Sequence, residues 1–60
     1  MQKFVYEISM TGSGGLEYEP FYVVATDMMS AVYKAHEIAS GRKSRVVTGV
    51  QLKGAYHESN

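Results

Sequence analysis

The chain has no cysteine, no tryptophan and a single proline among its 60 residues. Without cysteine the fold cannot depend on disulfides or on a cysteine-ligated zinc ion, and such a sequence suits a reducing cytosol. Its two histidines, His36 and His57, are too few and too far apart for a metal site made of protein ligands alone. We therefore expect no metal and no cofactor, and a fold stabilised by packing or by self-association as a homodimer.

Long apolar runs and an excess of charge are also missing. No stretch approaches the roughly 18 apolar residues of a membrane span, and Met1-Gln2-Lys3-Phe4 leads into an alternating strand pattern rather than a signal peptide. We therefore expect a cytoplasmic protein without membrane contact. The formal net charge is zero, but residues 1–30 carry one lysine against four carboxylates, and residues 31–60 carry five basic groups against two. This asymmetry is typical of an interaction surface, and solvation of loops and helix ends is its plainer explanation.

The chain divides into segments that predict one small domain over 1–60, with an ordered core over about 3–53 and a tail, 54–60, that frays. The segments are a strand at Phe4–Met10, a glycine-rich turn at Gly12–Gly15, a strand at Tyr18–Ala25, a helix at Met28–Ser40 and a strand at Arg45–Lys53. This order predicts an α+β fold, a three-stranded antiparallel sheet with one helix packed on one face (ββαβ). Pro20 lacks a backbone donor, which favours a sheet edge for the second strand and the middle for the first.

Alternation of apolar side chains predicts which residues face the core. The helix should begin after the N-cap Asp27, end at Gly41 and pack through a stripe of alanines. The predicted core positions are Phe4, Tyr6, Ile8, Met10, Phe21, Val23, Ala25, Ala31, Ala35 and Ala39, with Met28, Val32 and Ile38 beside the alanines. The other sheet face should carry Val5, Tyr18, Tyr22, Val24 and Val47, with Lys3, Glu7, Arg45 and Lys53 among them.

The sequence contains no arrangement typical of an enzyme. His36 and Ser40 lie one helical turn apart, but the only nearby carboxylate, Glu37, points about 100° away around the helix. A single layer of sheet also offers no deep pocket for a substrate. The glycine-rich turn leads into a strand, so it lacks the helix N-terminus of a phosphate-binding loop. We therefore predict no enzymatic activity and no catalytic residues.

The uncovered sheet face and the basic segment after the helix are the candidate binding surfaces. Their candidate residues are Tyr18, Tyr22, Arg42, Lys43 and Arg45. Tyrosine and arginine are enriched at protein interface hot spots, which favours a protein partner. The same residues can stack bases and contact phosphates, so nucleic acid is the alternative, although the neutral chain and Glu7 disfavour it. A third hypothesis is a homodimer that uses the face or an edge strand, and the plainest is that tyrosines merely cover a small sheet.

The run from Phe21 to Ala31, followed by Ala35 and by Ile38-Ala39, resembles a pattern in small bacteriophage proteins that inhibit host enzymes. In that pattern an alanine ends the second strand, an N-cap follows two residues later, and alanine recurs along the helix. Over about residues 4–53 the chain is similar in outline to phage inhibitors of bacterial RNA polymerase and to type I-F anti-CRISPR proteins. The resemblance implies the ββαβ fold and a phage-encoded inhibitor that occludes a host enzyme or defence complex. The matching positions are structural, so no functional residue is carried over.

Overall fold

The computed structural model describes residues 2–41 and 45–57, which form two strands, a helix and a third strand. Strand β1 runs over Lys3–Thr11, β2 over Phe21–Ala25, helix α1 over Met28–Ser40 and β3 over Val46–Tyr56. The strands form one antiparallel sheet in the order β2-β1-β3, and α1 packs on one of its faces. The predicted α+β plan and the central position of β1 are therefore confirmed.

The start of β2 differs from the prediction. The strand begins at Phe21 rather than Tyr18, directly after Pro20, which cannot donate a ladder hydrogen bond. Before Pro20 the chain makes an isolated bridge between Glu17 and Thr11. The turn between β1 and β2 includes Gly14 and Gly15 at φ angles of 76° and 80°, the left-handed region that favours glycine.

The end of β3 also differs. We expected the strand to stop at Lys53 and the chain to fray from Gly54, but β3 continues to Tyr56. The continuation forms because β1 supplies pairing partners, with Gly54, Ala55 and Tyr56 opposite Val5, Phe4 and Lys3. Residues 58–60 of the expected tail lie outside the described residues.

The core lies between α1 and one face of the sheet. Its buried side chains are Tyr6, Ile8, Met10, Val23, Ala25, Ala31, Ala35 and Ala39. The three alanines lie one turn apart, and their small side chains let the helix approach the sheet closely. These predicted core positions are confirmed, whereas Phe4 and Phe21 are half-buried at the margin and Met28 and Ile38 are exposed.

Two β-bulges in β3 decide which of its side chains face the core. Thr48 lies between Val47 and Gly49, which pair with two adjacent residues of β1, so Thr48 itself has no partner. In the same way, Lys53 lies between Leu52 and Gly54 and has no partner. Since side chains alternate along a strand, each extra residue exchanges the two faces. Val47 therefore packs against the core, and its predicted position on the uncovered face is wrong.

Helix α1 begins and ends as predicted. The Oδ1 atom of Asp27 accepts a hydrogen bond from the backbone N–H of Ser30 at 2.8 Å, which is an N-cap. This bond lowers the pKa of Asp27, because it stabilises the carboxylate. At the other end the Gly41 N–H donates to the carbonyl of Ile38 at 3.3 Å. In the described ranges no helix has the length and apolar character needed to cross a membrane.

Candidate functional site

The sheet face opposite α1 carries the side chains that alternate with the core residues. Strand pairing aligns Tyr22 with Glu7 and Gln51, and Val24 with Val5 and Gly54. Among residues 2–41 and 45–57, no helix or strand covers this face. We call it the open face, formed by Lys3, Val5, Glu7, Ser9 and Thr11 of β1, Tyr22 and Val24 of β2, and Val46, Gly49, Gln51, Gly54 and Tyr56 of β3.

Tyr22 is the large exposed aromatic residue at the β2 side of the open face, as predicted, with 58% of its surface accessible. Its hydroxyl donates a hydrogen bond to Oε2 of Glu7 at 3.1 Å. This bond and the negative charge of Glu7 raise the pKa of Tyr22, because both favour the neutral phenol over the phenolate. The bond ties the ring to β1, so that Tyr22 loses less side-chain entropy when a partner binds it.

Tyr18 and Arg45 form a stack at the end of β1. The guanidinium carbon of Arg45 lies 3.9 Å from the centroid of the Tyr18 ring, a cation–π contact. The ring also lies against Gly12, where an added Cβ would come within 2.6 Å of it. Tyr18 precedes β2, and its N–H donates to the carbonyl of Met10. The prediction that Tyr18 belongs to the strand carrying Tyr22 is therefore wrong, because that strand begins only after Pro20.

The other two predicted binding residues, Arg42 and Lys43, lie outside the described residues. Of the basic segment that was predicted to contact a partner, the structure therefore places Arg45 alone. Arg45 is half-buried, and its guanidinium already contacts the Tyr18 ring. The role of this segment in binding stays a prediction.

Both edges of the sheet are protected against pairing with another strand. At the β2 edge, the Nζ atom of Lys34 donates a hydrogen bond to the carbonyl oxygen of Val24 at 2.6 Å. At the β3 edge, the bulges at Thr48 and Lys53 interrupt the regular row of backbone groups. Bulges and edge lysines are devices by which sheets avoid strand addition. The edges are therefore poorer docking surfaces than the open face.

Two glycines leave gaps between the side chains of β3 on the open face. Gly49 lies opposite Ser9, and Gly54 lies opposite Val5. Neither has a positive φ, an added Cβ at Gly54 would meet no atom within 4 Å, and one at Gly49 would make ordinary contacts of 3.8 and 3.9 Å with Ser9. Since the backbone does not require glycine at either position, the chief effect of the missing side chains is to leave open space on this face.

Several of these features do not follow from the sequence patterns described above. The Glu7–Tyr22 bond had a signal, because both residues alternate out of the core on strands predicted to be neighbours. No sequence pattern indicates the Lys34–Val24 bond, because it joins a helix to a backbone carbonyl of an edge strand. The gap at Gly54 was also not predicted, because Gly54 was expected to lie in a frayed tail rather than in a strand.

Comparison with known proteins yields no relative. The chain matches no protein-family model, no curated protein and no solved structure. Within residues 2–41 and 45–57, no group of three or more histidine, cysteine, aspartate or glutamate side chains could hold a metal ion. The resemblance to phage inhibitors and the expectation of no enzymatic activity therefore stay predictions.

Proposed function

We propose that the chain is a non-enzymatic binding protein that docks a partner protein on its open face and inhibits it by covering its surface. The observation that carries this proposal is a sheet with its helix on one face and an exposed, hydrogen-bonded Tyr22 on the other. Half-buried Val5 and Val24 lie beside it and supply apolar contact area. Following the resemblance to phage inhibitors, we take the partner to be a host enzyme or defence complex in the host cytoplasm.

Three features favour a protein over nucleic acid as the partner. Glu7 places a carboxylate in the middle of the open face, where it would repel phosphates. Arg45, which the nucleic-acid hypothesis needs for phosphate contact, is stacked on Tyr18 away from β2. The chain has a net charge of zero, whereas the phosphate backbone supplies most of the affinity of nucleic-acid-binding proteins through basic residues.

The size of the open face sets a condition on the partner. Nine residues of β1 at about 3.3 Å each and three strands about 4.8 Å apart give a footprint of roughly 30 by 15 Å. A stable interface buries about 800 Å² on each side, which exceeds this flat area. A tight partner must therefore also contact residues beyond the open face, such as exposed Leu52 at the β3 edge.

The first experiment is a tagged pull-down from bacterial lysate, with and without nuclease, read by mass spectrometry. We expect one stoichiometric protein that survives nuclease treatment. The affinity of that protein is then measured for Tyr22→Ala, which should weaken binding at least tenfold because truncation of a tyrosine that anchors an interface is a typical hot-spot loss. Tyr33→Ala is the matched control, since Tyr33 is 68% exposed on α1.

A second variant separates binding from folding. Gly54→Val replaces a strand glycine with a strand-forming residue, so it should keep or raise the free energy of unfolding by up to about 1 kcal/mol. The new side chain fills open space on the open face, so the same variant should weaken partner binding at least tenfold. Retained binding by both Tyr22→Ala and Gly54→Val would show that the partner docks elsewhere. Recovery that depends on intact nucleic acid would move the nucleic-acid hypothesis into first place.

A further inference from the structure

Glu7 places a carboxylate at the centre of the open face. It lies between Tyr22 of β2 and Gln51 of β3, in a row of paired residues that crosses all three strands. Glu7 is half-buried, and its Oε2 atom accepts the hydrogen bond from the Tyr22 hydroxyl. An ionised carboxylate can accept about four hydrogen bonds, so most of its accepting capacity remains for further donors.

The basic residues that the structure describes do not neutralise this carboxylate. Among residues 2–41 and 45–57, no lysine or arginine forms an ion pair with Glu7. Arg45 is stacked on a tyrosine ring, and Lys34 donates to a backbone carbonyl at the β2 edge. Lys3 already makes an interaction of its own, and it lies four residues from Glu7 along β1, about 13 Å at the usual rise of a strand.

Docking of a protein on the open face would remove water from Glu7. Burial of a carboxylate without a charged partner is strongly unfavourable, whereas a buried carboxylate that is paired and hydrogen-bonded is tolerated. The hydroxyl of Tyr22 is a neutral donor, so its bond leaves the charge of Glu7 uncompensated. A protein that covers this face must therefore bring a positive group to Glu7.

The surroundings of Glu7 favour arginine over lysine as that group. The Tyr22 ring lies on the neighbouring strand and is exposed. A planar guanidinium can bond the carboxylate and lie against such a ring at the same time, whereas an ammonium group is a compact point charge. On β3, Gly49 and Gly54 flank the residue opposite Glu7 and leave open space for an incoming side chain.

We propose that the partner docked on the open face places an arginine on the Glu7–Tyr22 pair, with its guanidinium bonded to the carboxylate and lying against the phenol ring. This inference rests on the proposed function, because Glu7 needs a positive partner only when the open face is covered. It adds the chemistry of the contact, namely a protein segment with an arginine at the centre of its docking surface.

The test selects binding peptides from a displayed random library, with the isolated chain as bait, and measures their affinities by fluorescence anisotropy. We expect the selected peptides to carry an arginine. Its replacement by citrulline, a neutral isostere, should weaken binding at least tenfold, and its replacement by lysine at least threefold.

Variants of the protein test the same contact from the other side. Glu7→Gln keeps an acceptor for the Tyr22 hydroxyl but removes the charge, so it should weaken peptide binding at least tenfold. Glu37→Gln is the matched control, because it removes a carboxylate from an exposed position on α1 and should stay within twofold. If Glu7→Gln alters the amide spectrum throughout the sheet, the citrulline replacement decides, since it leaves the protein unchanged.

The outcomes separate this inference from the proposed function. Peptides that lose binding to Tyr22→Ala but keep it with Glu7→Gln would support docking on the open face and overturn the arginine contact. Equal affinity for lysine would overturn the choice of arginine, and an equal loss in Glu37→Gln would show diffuse attraction to negative charge. A selection without any binder that depends on Glu7 would overturn the inference, whereas the pull-down decides the proposed function.

Discussion

At the scale of single residues, the bond between Tyr22 and Glu7 links the open face to alkaline stability. The pKa of Tyr22 is raised above its ordinary value of 10.0 by the hydrogen bond to Glu7 and by the negative charge of that carboxylate. The folded state therefore holds the phenol proton more tightly than the unfolded chain does. The resulting stabilisation is fully present below the ordinary pKa and is lost as the pH rises through the raised pKa.

We expect the free energy of unfolding to fall above about pH 10 more steeply in the unmodified protein than in Tyr22→Phe. Urea denaturation at several pH values between about 8 and 11 measures this difference. All other residues are identical in the two proteins, so their contribution cancels in the comparison. Parallel curves for the two proteins would show that the Glu7 bond does not persist in solution.

Asp27 makes stability depend on pH in the opposite sense, at low pH. Its pKa is lowered from the ordinary value of 3.8, first by the hydrogen bond from the backbone of Ser30. The stabilisation is present above the ordinary pKa and is lost as the pH falls through the lowered one. We expect Asp27→Asn to keep the cap at neutral pH and to remove most of the acid-induced loss, whereas Asp27→Ala loses the cap at every pH. Urea denaturation of the three proteins at neutral and acidic pH distinguishes these outcomes.

Individual contacts were predictable only where regular structure dictated them. The Asp27 cap and the exposure of Tyr22 follow from local patterns, which need no knowledge of distant residues. The Tyr18–Arg45 stack joins an irregular segment to the start of β3, and the Lys34–Val24 bond joins a helix to a strand edge. Such contacts depend on how elements are placed in space, which a short-range pattern does not encode.

At the scale of elements, the closeness of α1 to the sheet depends on its alanine stripe. Ala35 is fully buried in the middle of that stripe. We expect Ala35→Leu to lower the free energy of unfolding by about 1–3 kcal/mol, because the larger side chain overpacks the contact. His36→Leu introduces the same side chain at the exposed neighbouring position and should change stability by less than about 0.5 kcal/mol. Urea denaturation compares the two, and equal effects would contradict the helix orientation.

The bulges in β3 allow a sharper test of its pairing with β1. Simple alternation and the structure assign two adjacent valines to opposite faces of the sheet. Val47 packs against the core, whereas Val46 is 62% exposed. We expect Val47→Thr to cost about 1–3 kcal/mol, since it places a hydroxyl against the core, and Val46→Thr to cost less than about 0.5 kcal/mol. Denaturation curves of the two variants measure the difference, and the reverse order would mean that β3 pairs without the bulge at Thr48.

The elements themselves were largely predictable, and β3 shows why the remainder was not. The bounds of α1 follow from its cap and its alanine period, and the order of the strands follows from Pro20 and the single helix. The faces of β3 depend on its pairing with β1, since a bulge exists only relative to a partner strand. An alternation read from β3 alone therefore misplaces Val47.

At the scale of the whole molecule, the chain is elongated. Its principal extents are 41, 19 and 17 Å and its radius of gyration is 12.2 Å, against about 10 Å for a compact domain of this length. The excess follows from strands β1 and β3, which run far past the end of the short β2. An extended sheet has much surface for its core, and over residues 2–41 and 45–57 one of its two faces is left without a helix.

We expect a monomer in the absence of a partner. X-ray scattering should give a radius of gyration close to 12.2 Å, and the melting temperature should not change over an about hundredfold range of protein concentration. A melting temperature that rises with concentration, together with a larger radius, would instead support the homodimer hypothesis. In that case the variant Tyr22→Ala would show whether self-association consumes the open face.

The two bulges also determine on which side of the sheet each side chain of β3 lies. Thr48 shifts the alternation of side chains between the two faces by one position, and Lys53 shifts it back. Val46 and Tyr56 therefore lie on the same side of the sheet. A one-residue deletion in a strand ordinarily inverts everything beyond it. At Thr48 a deletion would instead remove the residue that has no partner and leave every other side chain on its present side. This strand therefore holds two positions at which its length can change by one residue while every remaining side chain keeps its side of the sheet.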